Sequence, residues 1–94
     1  MTYLRLVTFT FSESGRSHAQ PMADDLIPAI KSQPGCISAT FFSNADGASG
    51  LAVVWDSQAH ADAAAAVIRP RLEQHLQGNV AAPPDAALYP ILAS

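Results

Sequence analysis

Residues 3–11, YLRLVTFTF, decide the fold of this chain. Apolar, β-branched and aromatic residues alternate there with a period of two, which is the spacing of a β-strand. One face carries Tyr3, Arg5, Val7, Phe9 and Phe11, and the other carries Leu4, Leu6, Thr8 and Thr10. Because both faces are largely apolar, we predict a strand covered on both sides, in the middle of a sheet. Arg5 needs a partner if it is enclosed there.

Two segments further along the chain predict amphipathic helices. The first runs from about Arg16 to Ser32, and Pro28 is expected to bend it. The second begins after an N-cap at Asp56 or Ser57 and continues towards residue 78. Pro70 lies inside this second helix and should kink or split it, because proline has no backbone N–H to donate.

Three more segments predict strands. Cys36–Ser43 and Leu51–Trp55 flank the turn-forming residues Asn44–Gly47, so they predict a hairpin. Leu51–Trp55 is apolar on both faces and is therefore expected to be central. Ala86–Leu92 predicts a last short strand, and Pro90 places that strand at a sheet edge because it cannot donate to a ladder.

The predicted order is β-α-β-β-α-β over one domain, residues 1–94. This order is typical of an α+β, ferredoxin-like fold: a four-stranded antiparallel sheet with two helices on one face. It places the first and third strands in the middle, and we expect these two to be parallel neighbours. Two helices cover only one face of such a sheet, while the strands are apolar on both faces. We therefore predict a homodimer that packs sheet against sheet, forming a dimeric α/β barrel.

Composition excludes several classes of partner and setting. The chain carries a formal charge of −3 with only five Lys and Arg residues, so it lacks the basic surface that nucleic acids or anionic membranes require. No stretch approaches the ~20 apolar residues of a membrane span. Cys36 is alone, so no internal disulfide can form, and no zinc-ligand spacing is present. We predict no metal and a cytoplasmic location.

Three segments resemble a known family. Gln33–Ile37 leads into the second strand, Val53–Ala59 crosses from the third strand into the second helix, and Ala87–Leu92 closes the chain. The chain resembles the antibiotic biosynthesis monooxygenase group of the dimeric α/β-barrel superfamily. The resemblance implies an oxygenase without a cofactor, in which a quinol or polyketide-like substrate itself reduces dioxygen inside an apolar pocket. Some relatives degrade haem; the single Trp, with no supporting Asn, makes that activity the less favoured one.

Six residues are the candidates for this chemistry. We predict catalytic roles for Trp55, His60 and His75, and substrate contacts for Phe9, His18 and Phe41. The resemblance implies that Trp55 lines the pocket; the other interpretation is a core aromatic at the start of the helix. His75 lies on the apolar stripe of its helix, where it is either a base or a cation that suits the helix C-terminus.

A polar site is a further hypothesis. If the first and third strands are parallel, their ends bring Glu13 and His18 towards Trp55, Asp56 and His60. Two histidines and two carboxylates at one end of the sheet would be able to move a proton or hold a metal ion. The competing hypothesis for the whole chain is a small-ligand-binding or stress-related barrel protein that performs no catalysis.

Overall fold

The alternating strands and the two amphipathic helices fold in the predicted order. The computed structural model describes residues 1–94. Its elements are β1 (Tyr3–Thr10), a 3₁₀ helix (Glu13–His18), α1 (Ala19–Lys31), β2 (Cys36–Ser43), β3 (Ala48–Trp55), α2 (Gln58–Leu76) and β4 (Asp85–Pro90). The ferredoxin-like α+β fold is therefore confirmed.

The sheet has the strand order β2-β3-β1-β4, with every neighbouring pair antiparallel. The central positions of β1 and β3 and the edge position of β4 are as predicted. The prediction that β1 and β3 are parallel is wrong, because Tyr3 lies opposite Trp55 and Thr10 lies opposite Ala48. The helical crossover keeps β2 parallel to β1, and the tight hairpin then reverses β3 relative to both.

The helices differ from the predictions at the start of α1 and at Pro70, whereas Pro28 lies inside α1 as predicted and the bend expected there stays a prediction. The 3₁₀ turn occupies the predicted beginning of the first helix, so α1 starts at Ala19 and Pro21 falls in its first turn, where no N–H is required. Ser57 caps α2 by accepting a hydrogen bond from the His60 N–H, as predicted. The sequence predicts a kink or a split at Pro70, and the split is wrong: α2 runs unbroken, because one lost hydrogen bond is outweighed by its buried stripe, which includes Ile68 and Leu72.

The core lies between the helices and one face of the sheet. We call this side of the sheet the covered face. Its buried side chains include Val7, Phe9, Leu51, Val53 and Trp55, and they pack against Met22, Leu26, Ile30, Ala61, Ala64, Ile68 and Leu72. Burial of this apolar surface is the main stabilising contribution to the fold.

The opposite side of the sheet, the open face, has no covering layer within the chain. Leu4, Leu6 and Val54 are half-buried there, and Phe42 and Tyr89 are 42% and 49% exposed. The Phe42 ring lies over Gly50, where a Cβ would collide with the ring and with the Val7 carbonyl oxygen. No helix of the chain has the length and apolar character needed to cross a membrane.

Candidate functional site

A cavity of about 400 Å³ lies between the covered face and α2. Eleven of its fifteen lining residues are hydrophobic, and the sheet contributes Val7, Leu51, Val53 and Trp55 to its floor. Small-molecule sites are commonly apolar clefts of roughly 300–1,000 Å³ with a few polar groups. Two other hollows are more open surface grooves, one at the edge of the open face and one between α1 and β2. The cavity under α2 is the better candidate for a binding site.

Trp55 is the last residue of β3, and its indole is 3% exposed. The strand pleat directs it to the covered face, and the α2 N-cap follows two residues later, so sheet and helix enclose the ring between them. The side chain therefore belongs to the core and also forms a wall of the cavity. The sequence analysis treated a core aromatic and a pocket wall as alternatives for Trp55. In the structure the side chain is both.

The charged residues of the cavity are Arg5, Arg69 and Glu73. Arg69 and Glu73 lie on the exposed side of α2, whereas Arg5 lies on the central strand β1. The Arg5 Nη2 donates to Asp62 Oδ1 at 3.2 Å, which supplies the partner that the sequence requires. Arg5 Nε is buried and has no acceptor, so this cation is only partly satisfied.

His60 and Asp56 form a pair at the start of α2. His60 Nδ1 lies 2.6 Å from Asp56 Oδ1, and both side chains are about half exposed. The hydrogen bond from His60 lowers the pKa of the Asp56 carboxyl. Gly35, with φ +84°, packs so closely beneath the pair that a Cβ would collide with both side chains. His60 is not among the residues that line the cavity, and its catalytic role stays a prediction.

His18 and His75 form a second cluster with two partners that the sequence analysis did not single out. His75 Nε2 lies 2.7 Å from Asp25 Oδ2, and His75 Nδ1 lies 2.9 Å from His18 Nε2. Arg71 donates from Nε and Nη2 to the two Asp25 oxygens at 2.9 and 2.7 Å. These hydrogen bonds, first from Arg71 and then from His75, hold the pKa of the Asp25 carboxyl far below its ordinary value of 3.8.

One proton position in this cluster follows from the Asp25 carboxylate. An ionised carboxylate only accepts, so His75 donates to it from Nε2–H, and an N–H of either ring makes the contact between His75 Nδ1 and His18 Nε2. Only the α2 part of this cluster has a signal in the sequence. Arg71 and His75 are four residues apart on α2, and such residues share one helix face.

The antiparallel arrangement separates the predicted polar site into two. Glu13 and His18 follow the end of β1, whereas Asp56 and His60 follow the end of β3, at the opposite end of the sheet. The prediction that these four residues converge is therefore wrong. Trp55 and His75 also belong to different places, because His75 bonds to His18 and Asp25 near the far end of α2.

Phe9 and Phe41 lie in the aromatic part of the covered face. Their ring centroids are 6.1 Å apart, and Phe9 also meets Phe11 edge-on at 5.2 Å. Neither residue is among those that line the Trp55 cavity, and Phe41 instead borders the groove between α1 and β2. Their substrate contacts, and that of His18, stay predictions.

Comparison with known proteins identifies the fold. Over its whole length, the chain matches the structure of Rv0793 from Mycobacterium tuberculosis with a TM-score of 0.85 and 16% identity, covering 98% of that chain. A second match is SnoaB, a cofactor-independent oxygenase from Streptomyces nogalater. This match covers 99% of the present chain and 95% of SnoaB, with a TM-score of 0.80 and 14% identity. The chain also covers 99% of its length and all of an antibiotic biosynthesis monooxygenase structure, with a TM-score of 0.81 and 14% identity.

The chain has the fold of the antibiotic biosynthesis monooxygenase structures. The resemblance noted in the sequence is thereby confirmed at the level of the fold. No protein-family model matches the chain, and no curated protein matches its sequence. Because many reactions occur on one fold, the activity has to be argued from the cavity.

Proposed function

We propose that this protein is a cofactor-independent monooxygenase that acts on a small, planar, electron-rich molecule of the quinol or polyketide-like aromatic class. The observation that carries the proposal is the apolar cavity beneath α2, with the Trp55 indole as one wall and Arg5 as the charged group of its sheet side. SnoaB, which shares the fold, is described as a cofactor-independent oxygenase.

The proposed reaction converts an activated CH₂ group of the substrate into a carbonyl. Two C–H bonds and the O–O bond break, one oxygen atom becomes the carbonyl oxygen, and the other leaves as water with the two hydrogens. The carbon loses four electrons and dioxygen gains four, so the substrate is the only reductant. The chain has to bind the substrate, exclude water from the reacting carbon and stabilise the substrate anion that donates the electrons.

Trp55 is suited to the binding part of this task. Its rigid ring offers a flat apolar surface on which an aromatic substrate can stack, and its indole N–H is a hydrogen-bond donor. The predicted catalytic roles of His60 and His75 would require contact with the substrate outside the lining described above.

The proposal includes a homodimer in which two open faces meet. Leu4, Leu6 and Val54 present apolar surface there that the chain itself leaves half-buried. A second copy would cover this surface and complete the dimeric α/β barrel. We also propose a reducing, cytoplasmic setting, with which the unpaired thiol of Cys36 agrees.

A second candidate is a ligand-binding protein without turnover. The observation that favours it is the placement of all three histidines in clusters outside the cavity lining, which leaves Glu73 as the proton acceptor among the lining side chains. A protein of this kind would bind the same molecules without consuming oxygen.

Oxygen consumption with anthrone separates the two candidates. We expect the protein to accelerate oxygen uptake above the autoxidation rate, and ¹⁸O₂ to label the product carbonyl with one atom while the second appears in water. Formation of hydrogen peroxide in place of labelled product would contradict the monooxygenase. Uptake at the autoxidation rate while anthrone binds would contradict it and favour the second candidate.

Replacement of Trp55 tests the role of the cavity wall. We expect Trp55→Phe to lower the catalysed rate about tenfold, since it removes part of the stacking surface and one hydrogen bond worth about 1 kcal/mol. Val67→Ala is the control, because Val67 is 58% exposed and does not line the cavity. An unchanged rate in Trp55→Phe would show that the role proposed for Trp55 is wrong.

A further inference from the structure

Arg5 occupies a place where a cation needs a specific reason. It lies on the covered face of the central strand β1, opposite Val53 of β3 and Leu88 of β4. Its neighbours on the same face are apolar, and the side chain is 21% exposed. An enclosed charge is destabilising unless opposite charge and hydrogen bonds compensate it.

The compensation within the chain is incomplete. Of the five guanidinium N–H groups, one donates to Asp62, whose side chain is 59% exposed and well hydrated. The Nε–H group is shut off from solvent and has no acceptor. Pairs between a guanidinium and an exposed carboxylate are weak and easily exchanged, because water competes for the carboxylate.

The guanidinium borders the same apolar cavity as Trp55. A ligand in that cavity that carries a negatively charged oxygen would accept hydrogen bonds from the Nη groups of Arg5, in competition with Asp62. Hydrogen bonds between a guanidinium and an oxyanion are strong, and they gain strength where water is excluded. Asp62 can turn to solvent when the ligand oxygen takes its place.

We propose that Arg5 selects ligands with an ionised oxygen, such as a phenolate or an enolate, on a planar apolar body. Arg5 recognises the negative charge of the ligand, and the apolar cavity walls recognise its planar body. This inference rests on the proposed function only in that it uses the same cavity, and it concerns binding, which is measured without oxygen.

Two quinones of nearly equal size test the selection. 2-Hydroxy-1,4-naphthoquinone is ionised at neutral pH, whereas 2-methoxy-1,4-naphthoquinone is neutral. Binding is followed by calorimetry and by quenching of Trp55, the single tryptophan of the chain. We expect the ionised quinone to bind about tenfold more tightly than the methoxy compound, and Arg5→Met to bring the ratio of the two dissociation constants close to one.

Two variants distinguish recognition from a purely structural role. Arg5→Lys keeps the charge but loses the planar fork, so we expect it to retain part of the preference. Asp62→Asn removes the internal partner of Arg5, and we expect binding of the ionised quinone to be unchanged or tighter. If Arg5 only anchored α2 through Asp62, then Arg5→Met and Asp62→Asn would weaken both quinones equally, and the inference would be wrong.

Arg16→Met is the matched control for the loss of one positive charge. Arg16 is exposed and donates to the Asp46 carbonyl oxygen, outside the cavity, so we expect its quinone preference to equal that of the unmodified protein. Equal binding of the two quinones by the unmodified protein, or binding of neither, would overturn the inference. A preference that follows Arg5 without any oxygen uptake would support it while contradicting the proposed oxygenase.

Discussion

The two faces of the sheet are built from the same strands and have opposite surroundings. On the covered face, Phe9 is 5% exposed and Leu51 is 2% exposed beneath the helices. On the open face, Phe42 is 42% exposed although it lies next to Phe41 in the sequence. Both faces carry large apolar side chains. The apolar residues of a strand therefore indicate how much surface has to be buried. The helices that pack on the sheet determine how much of that surface one chain buries by itself.

The covered face also has polar links that the open face lacks. Arg71 and His75 of α2 both bond to Asp25 of α1, and they join the two helices into one layer. Arg5 and Asp62 connect α2 to the sheet. The helices are thus attached to the covered face by apolar packing and by ionic contacts, whereas no element of the chain packs on the open face.

The largest expected effect is a loss of folding stability when a side chain packed beneath the helices is removed. We predict that Phe9→Ala lowers the free energy of unfolding by about 3–5 kcal/mol, because it removes a buried ring and leaves a cavity. Phe42→Ala is the matched change on the open face, and we expect it to cost the isolated chain about 1–2 kcal/mol. Urea unfolding of both variants provides the measurement. Equal losses would mean that the two faces are not as different as their exposure indicates.

A smaller effect is expected on association. We predict that Leu6→Glu raises the dissociation constant of the proposed dimer about 100-fold, roughly 2.7 kcal/mol, because it places a carboxylate between two apolar faces. Sedimentation velocity at micromolar concentration should then show the mass of one chain. Val67→Glu adds the same charge to the outer side of α2, where Val67 is already exposed, and it should leave the dimer intact. A monomeric unmodified protein would contradict the proposed pairing of open faces.

The smallest expected effect concerns the helix layer in acid. Because the folded protein holds the pKa of Asp25 below its ordinary value of 3.8, the ionised carboxylate contributes stability above pH 3.8, and that contribution is lost as the pH falls below this value. Asp25→Asn should therefore be less stable than the unmodified protein at pH 7, with a difference that shrinks below pH 3.8. Thermal unfolding between pH 2 and pH 7 measures this difference.

Asp56→Asn is the comparison for this prediction. The pKa of Asp56 is also lowered, but its main partner is His60 alone, and the pair joins residues of a single turn. We expect the same sign and a smaller change. A pH-independent difference for Asp25→Asn would show that the Arg71 and His75 contacts do not stabilise the ionised carboxylate.

The strands and their order could be predicted because they depend on local patterns. The alternation in residues 3–11 predicts a central strand, and Pro90 predicts an edge strand; both features are confirmed by the sheet order. The relative direction of β1 and β3 was predicted wrongly, although the hairpin between β2 and β3 determines it. Because of that error, Glu13 and His18 were predicted at the same end of the sheet as Asp56 and His60, whereas they lie at the opposite end.

The polar clusters could not be predicted in the same way. His18 and His75 are 57 positions apart, and their contact depends on how two helices lie on a sheet. The prolines show a second limit: α2 continues through Pro70 because packing outweighs a local preference. The enclosure of Trp55 was expected from its motif, whereas the unmatched Nε of Arg5 is visible only when every neighbouring acceptor is known.

The glycine beneath the Phe42 ring links the chain's internal architecture to its assembly. At position 50, even a methyl group would lift the aromatic ring away from the strand, because the Val7 carbonyl leaves no room on the other side. The raised ring would then stand as a ridge where two copies are proposed to meet. A single residue without a side chain thus keeps the proposed contact surface level, and its replacement would impair the pairing of two open faces.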